Sequence, residues 1–272
     1  APPGSRRVSI DTAAADRIHG ALTVIEHEDW LAVAGSNWWA AARALDALQP
    51  RYEVPEGLPD SAALRTRLAE ALEAGEAERT FELGDIGADH PGASPVTALY
   101  SVGLAPSAPI EPLTATARVI GDRLEIWAPT QAPGLARSAA ARASGVGEGQ
   151  VTLYPTLVGG GYGRKLETEA IEQAALLAVR LDRPVQLTWP RLQEIQRDTF
   201  RPPAAARMRA WVGRGTIAGW HARIAAPATA DEVARRLRAA GSFFRPDGGP
   251  TGGAPPPYDI ANVAVDHVPV EI

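Results

Sequence analysis

The sequence predicts a mixed α+β fold, and three observations carry that expectation. Short β-type runs alternate with helical stripes along most of the chain. Pairs of such runs are joined by bends at Gly121-Asp122 and Gly213-Arg214-Gly215, the signature of hairpins. Apolar residues make up 45% of the 272 positions, enough to fill a core of ordinary density.

Taken in order, Ala21–Glu26 and Leu31–Ala34 read as strands joined by the polar turn His27-Glu28-Asp29. Ser36 or Asn37 can cap a helix over Trp38–Leu48 that stops at Pro50. Its stripe is expected to run through Trp38, Ala41, Ala42, Leu45 and Leu48, with the tandem Trp38-Trp39 read as core packing. Arg51–Val54 reads as a short strand and Ser61–Ala74 as an amphipathic helix. The polar stretch Thr80–Ser94, with Gly84, Gly87 and Gly92, is expected to be a linker, which places a domain division near residue 92: 1–92 and 93–272.

From Pro95 onward the α and β patterns alternate. Val96–Val102 is a strand, and Thr114–Ile120 with Arg123–Trp127 is a hairpin. A helix over Gly134–Ala143 ends before Gly145. Then follow a strand over Val151–Leu157, a helix over Glu167–Arg180, a strand over Pro184–Trp189 and a short helix over Arg191–Arg197. Ala206–Val212 and Thr216–Ile224 form a second hairpin, Ala230–Ala239 a helix, and the glycine- and proline-rich Pro246–Pro257 an irregular loop.

Composition narrows the function. A net charge of −5 and a pI near 5.6 argue against a chain whose main partner is nucleic acid. Arg235, Arg236 and Arg238 read as a solvated helix face. With no cysteine, this chain supplies no disulfide, thiolate zinc site, iron–sulfur ligand or cysteine nucleophile. No apolar run approaches the roughly 18 residues of a membrane span. His19, His27, His90, His221 and His267 show no metal-ligand spacing, and no serine lies in a Gly-x-Ser-x-Gly elbow.

The segment Val158-Gly159-Gly160-Gly161-Tyr162-Gly163-Arg164-Lys165 is the densest functional signal. Its glycines lack the Cβ atoms that would hold an anionic ligand away from the main chain, and a helix N-terminus follows. Arg164 and Lys165 are expected to add two positive charges to that seat. The run fits neither the dinucleotide fingerprint, because Leu166 stands where a third glycine is required, nor a P-loop, because no Gly-Lys-Ser/Thr occurs. A glycine-rich turn without a ligand is the plain alternative.

Further segments accompany it: Ala108-Pro109-Ile110-Glu111-Pro112, Trp127-Ala128-Pro129-Thr130-Gln131 and Arg201-Pro202-Pro203-Ala204-Ala205-Ala206. In this order and spacing they resemble the large subunit of molybdenum hydroxylases, the xanthine dehydrogenase/aldehyde oxidase superfamily, in its isoquinoline 1-oxidoreductase β-subunit branch. The resemblance runs from about Ala14 to Val265 and is densest over Tyr100–Arg209. It implies a small α/β-hammerhead remnant with its linker over 1–92 and the first half of a molybdopterin-binding α/β domain over 93–272. It implies an oxidoreductase that hydroxylates N-heterocycles or oxidises aldehydes with a molybdopterin cofactor, commonly the cytosine dinucleotide form. Electrons would leave through a small [2Fe-2S] partner subunit.

The cofactor-binding residues implied are Gly159, Gly160, Gly161, Tyr162, Gly163, Arg164 and Gln131, with Tyr162 at the family's usual phenylalanine. No catalytic residue and no protein metal ligand is implied within the chain. Glu111, Glu167 and Glu169 do not stand in for the family's late catalytic glutamate. The resemblance further implies an N-terminal or middle piece of a larger subunit, inactive alone, in a periplasmic or cytoplasmic enzyme.

Ser107 stands where the family has histidine, and Phe200 and Arg207 replace the usual tyrosine and histidine around Arg201-Pro202. These departures keep a second reading open, a non-catalytic molybdopterin-domain module acting as a scaffold or assembly protein. A plain phosphate- or nucleotide-binding α/β module is a third.

Overall fold

The computed structural model describes residues 4–229, 233 and 249–272 of the protein. In chain order the first elements are β1 (Arg6–Ser9), α1 (Thr12–Asp16), β2 (Ala21–Glu26), β3 (Leu31–Gly35), α2 (Trp38–Ala47), β4 (Arg51–Glu53), α3 (Ser61–Ala74), β5 (Glu78–Leu83) and β6 (Ser94–Val102). There follow β7 (Thr114–Ile120), β8 (Arg123–Ala128), α4 (Pro133–Ser144), β9 (Val151–Pro155), α5 (Glu169–Leu181), β10 (Val185–Thr188), α6 (Arg191–Gln196), β11 (Ala204–Gly213), β12 (Thr216–Ala226) and β13 (Asn262–Pro269). The mixed α+β expectation is borne out. The helix expected over 230–239, with Arg235, Arg236 and Arg238, lies outside the described residues except for Val233, and the loop expected over 246–257 is described only from Gly249.

The elements form two compact units, residues 1–58 with 107–199 and residues 59–106 with 200–272. In the first, β2 and β3 pair antiparallel, β1 pairs antiparallel with β4, and α1 and α2 close a small core of Ala15, Ala44 and Leu48. Asn37 provides the α2 cap, its side chain accepting from the N–H of Ala40 at 3.0 Å. The expected apolar stripe is borne out at Leu48, which is buried, and at Leu45, which packs on that core, and corrected at Trp38. α2 buries Ala40, Ala44 and Leu48, one line at i, i+4 spacing, while Trp38 and Trp39 in the first turn are 57% and 63% exposed. Small side chains let α2 approach β3: a Cβ on Gly35 would come within 2.7 Å of the Ala41 nitrogen.

The larger part of this unit is a four-stranded sheet in the order β10-β7-β8-β9. β10·β7 and β7·β8 are antiparallel; β8·β9 is parallel, as the crossover through α4 requires. Ala115, Ala117, Leu124, Ile126 and Val151 from the strands meet Ala136, Ala140, Ile171, Ala174, Ala175 and Ala178 from α4 and α5 in one core. Alanine on the helix faces lets both helices lie close to the sheet.

The second unit is a five-stranded sheet, β5-β13-β12-β11-β6, with β12·β13 parallel and the other pairs antiparallel. Leu68 and Leu72 of α3 pack on Ala225 and Val268. Asp60 caps α3 through the N–H groups of Ala62 and Ala63 at 2.9 and 2.7 Å. The expected linker over Thr80–Ser94 is also corrected, since its start belongs to β5. That strand carries Glu-Arg-Thr-Phe-Glu-Leu and is exposed throughout, its apolar alternation limited to Phe81 and Leu83. Residue 92 lies within this unit, between β5 and β6. On the sheet, Asp266 accepts from Arg79 Nε at 2.5 Å and lies 2.7 Å from His221 Nε2. Burial alone would raise the Asp266 pKa, but these two hydrogen bonds and the nearby positive charge lower it.

Gly213 is a point of main-chain contact. A Cβ there would fall 2.2 Å from the Gly92 carbonyl oxygen and 2.8 Å from the Ala93 Cα, atoms that no side-chain rotation can move. Gly213→Ala is expected to destabilise the second unit by about 1–3 kcal/mol, read as a lower urea midpoint. An unchanged midpoint would show that the Gly92–Ala93 turn yields freely.

Candidate functional site

The site is built by strand order. β8 and β9 run parallel, with Trp127 beside Tyr154 and Ala128 beside Pro155, so the chain leaves both strands at the same edge. β7 is antiparallel to β8, so the segment leading into it arrives at that edge too. The carboxyl edge of parallel strands is where open α/β sheets place ligands. Three of the four motifs singled out in the sequence therefore meet here: Ala108–Pro112 before β7, Pro129–Gln131 after β8 and Leu157–Lys165 after β9. The fourth, beginning at Arg201, belongs to the second unit, where Arg201 and Ala105 form a bridge.

Hydrogen bonds tie the three segments together. The Glu111 N–H donates to the Gly159 carbonyl at 3.0 Å, and the Glu111 carboxylate accepts from the Gly159 N–H at 2.8 Å. The Gln131 N–H donates to the Lys165 carbonyl at 2.9 Å, as does Thr130 Oγ1 at 3.3 Å. Gln131 Oε1 accepts from the Gly163 N–H at 3.3 Å.

These contacts explain two of the glycines. A Cβ on Gly159 would lie 2.6 Å from the Glu111 Cβ, and one on Gly161 would lie 2.5 Å from Gln131 Oε1. The missing side chains admit the protein's own residues on the inner side of the bend. Gly160 and Gly163 serve a different need, with φ of +92° and +96°. Tyr162 shares this left-handed region at φ +53° without a glycine's freedom, and its ring is 64% exposed.

The two positive charges point the other way from the sequence expectation. Arg164 is fully buried. Its Nη2 donates to Glu169 at 2.9 Å, its Nε lies 3.5 Å from Asp198, and its guanidinium stands 5.7 Å from the Trp189 ring centre. Lys165 is buried against the Glu111 carboxylate. Both cations are neutralised beneath the bend because a buried charge requires a partner. Burial would raise the Glu111 pKa, but hydrogen bonds from Lys165 and the Gly159 N–H, with attraction to Lys165, lower it below the ordinary 4.5.

Along the bend Gly159 and Tyr162 are exposed, Gly160 and Gly163 half-buried and Gly161 buried. The N–H groups of Gly160, Gly161 and Tyr162 have no protein acceptor among the described residues. Successive amides in such a bend form a concavity suited to an anionic or strongly polar oxygen. Around it Ile110 and Leu157 stand 90% and 96% exposed. All seven residues expected to bind a ligand thus belong to one cluster, but Arg164 serves it from below. Sequence reasoning passed over Lys165 with Glu111 as an inward pair, and it missed Arg191, Glu194 and Asp198, which support the same loops. The Arg191/Glu194 spacing at i, i+3 was the available signal.

A family model described as "Molybdopterin cofactor-binding domain" matches residues 68–269. The isoquinoline 1-oxidoreductase subunit beta of Brevundimonas diminuta is 35% identical over 106 residues, covering 39% of this chain and 14% of that protein. The membrane-bound aldehyde dehydrogenase (pyrroloquinoline-quinone) of Gluconacetobacter polyoxogenes is 29% identical over 217 residues, covering 76% of this chain and 28% of that protein. The chain thus spans under a third of the length of these curated relatives. Among solved structures, the aldehyde oxidoreductase of Desulfovibrio gigas superposes with a TM-score of 0.64 at 20% identity, over 97% of this chain and 34% of that one. Quinoline 2-oxidoreductase from Pseudomonas putida 86 gives 0.63 at 18%, over 98% and 39%. These likenesses establish a shared fold.

Glu111→Ala strands the buried Lys165 ammonium and frees the Gly159 N–H, and is expected to cost about 2–3 kcal/mol near neutral pH. Because the Glu111 pKa is depressed on folding, its contribution is complete above 4.5 and is lost as pH falls through the folded value. Denaturation midpoints measured against pH should fall less steeply on the acid side in the variant. Parallel acid limbs would remove Glu111 from the account.

Proposed function

Because the chain belongs to the molybdopterin cofactor-binding domain family, we propose that it forms part of the molybdenum-cofactor-binding subunit of an oxidoreductase that hydroxylates N-heterocycles or oxidises aldehydes. The resemblance to molybdenum hydroxylase large subunits is borne out by that match and by the isoquinoline 1-oxidoreductase relative. One observation carries the functional reading: three separate segments converge on a single bend in which the N–H groups of Gly160, Gly161 and Tyr162 have no protein acceptor among the described residues.

The residues present fit a molybdopterin guest. The bend supplies donors without bulk, and Gly160 and Gly163 take the left-handed conformations that shape it. Gly159, Gly160, Gly161, Tyr162 and Gly163 would hold the cofactor through main chain, and Gln131 would orient its polar edge. Arg164 would act indirectly, by fixing the bend. When bound, the cofactor supplies the two-electron oxidation, while the protein binds, orients and excludes water. The exposed Tyr162 ring and the apolar Ile110 and Leu157 suit a flat aromatic or aldehyde substrate beside it.

Neither Glu111 nor Glu169 is assigned as a base, since each is held by a buried cation of the glycine segment. The cofactor is read as the cytosine dinucleotide form. Electrons are read as leaving through a small [2Fe-2S] partner subunit, with the remainder of a longer large subunit completing the site. On that reading the 272-residue chain alone does not turn over.

The test is cofactor analysis of the full-length natural product, purified with its partner. Molybdenum and pterin are expected in equal amounts. Gly161→Ala pushes the Gln131 amide away from Gly163 and is expected to lower molybdenum per chain severalfold, with the circular dichroism spectrum unchanged. Pyrroloquinoline quinone without molybdenum would overturn the reading, as would nucleotide binding without metal. A fully loaded but inactive product would favour the scaffold alternative.

A further inference from the structure

Beneath the bend lies a set of buried charges that no step of the proposed function uses. Asp198, directly after α6, accepts from the Ser107 N–H and lies 3.5 Å from Arg164 Nε. Glu194 in α6 is 1% exposed and accepts from Arg191 Nη1 at 2.8 Å. The same Arg191 guanidinium donates to the Pro109 carbonyl at 2.6 Å and the Ile110 carbonyl at 2.5 Å. One short segment, 191–198, therefore grips two of the three converging loops. Asp198 reaches the base of the glycine bend through Arg164 and the start of the other loop through Ser107. Glu194 aims Arg191 at the carbonyls directly before Glu111.

The arrangement is costly if it is only packing. Among the described residues, Arg164 Nε and Nη1 and Asp198 Oδ1 are buried without a protein hydrogen-bond partner. Apolar residues of the same volume would fill such a position without that penalty. What charges supply and apolar groups do not is direction: a guanidinium set by a carboxylate fixes the carbonyls it touches to within hydrogen-bond geometry. Burial raises the Glu194 pKa against the pull of Arg191 and Arg164, so the carboxylate end of the pair sits in a dry position, while the Arg191 side chain is 39% exposed.

We infer that residues 191–198 are a positioning brace for the cofactor-facing loops, with Asp198 and Glu194 as its positioning residues. The inference rests on the molybdopterin reading for what the loops hold, but not for whether the brace holds them. Asp198 keeps Arg164, and with it Gly161–Gly163, in the open bend. Glu194 keeps Pro109–Glu111 against Gly159.

The experiment uses the full-length natural product and two near-isosteric changes, Asp198→Asn and Glu194→Gln. Amide hydrogen exchange is followed over 157–165 and 107–113, and molybdenum per chain is measured on the same samples. Asp198→Asn is expected to speed exchange over 157–165 at least tenfold, with α4 and α5 unchanged, and to lower molybdenum per chain severalfold. Asp198→Glu restores part of both. Glu194→Gln is expected to speed exchange over 107–113, and it decides the matter alone if Asp198→Asn does not fold. Unchanged exchange in both loops overturns the brace, whatever the metal content. Faster exchange with full molybdenum overturns its role toward the cofactor. A wild-type product without molybdenum overturns the functional reading alone, and the exchange measurements still decide the brace.

Discussion

The parallel pairing of β8 with β9 is the constraint on which the site depends. Parallel neighbours end at the same edge, so Pro129–Gln131 and Leu157–Lys165 must emerge side by side. The crossover that permits the pairing is α4, and α4 can lie on the sheet because its inner face is alanine. A larger residue at Ala136 or Ala140 would lift the helix and move the strand ends with it. The shape of the bend is in this sense decided some distance away, in a core where one methylene is felt.

Given that edge, the bend is stabilised from beneath. Two cations directly follow four glycines, and both turn down to carboxylates, Lys165 to Glu111 and Arg164 to Glu169 and Asp198. Paired charges in a dry interior contribute little net stability compared with apolar packing, but removing one partner is severe. The consequence is a loop with few alternative positions rather than a strongly stabilised one. Tyr162 can remain in a left-handed conformation under such conditions, because its neighbours on both sides are fixed.

Much of this was legible in the sequence, and the reasons divide cleanly. Elements with strong local chemistry were readable: the hairpin at Gly121-Asp122, the Asn37 cap, the alanine-rich helices and the strand before the glycine run. The mixed class followed from them. What was not readable needed a partner in space. β5 has only Phe81 and Leu83 as apolar residues, both exposed, and is paired by β13 from nearly two hundred residues away. Trp38 and Trp39 look like core by hydropathy, yet the phase of α2 is set by Ala40, Ala44 and Leu48. At the site, the glycines were readable as close-approach positions, but not what approaches. Glu111 and Gln131 claim the inner side, which a ligand-only reading assigned to the guest. The direction of Arg164 and Lys165 was equally hidden, since Asp198 and Glu111 are distant in sequence.

The departures from the family pattern can be weighed by what each side chain touches. Ser107 joins the structure through its main-chain N–H, which Asp198 accepts, so a serine in place of histidine leaves that contact intact. Arg207 pairs with Glu73 within its own unit, tying β11 to α3, a structural use of the position. Neither substitution disturbs the Glu111–Gly159 or Gln131–Gly163 contacts that shape the bend. Loss of function would first relax the groups that are expensive to maintain, namely a buried arginine, a buried lysine and a tyrosine at positive φ. Arg164 and Lys165 stand in place with their carboxylate partners and Tyr162 holds its positive φ, so the features costliest to maintain at the bend are unrelaxed.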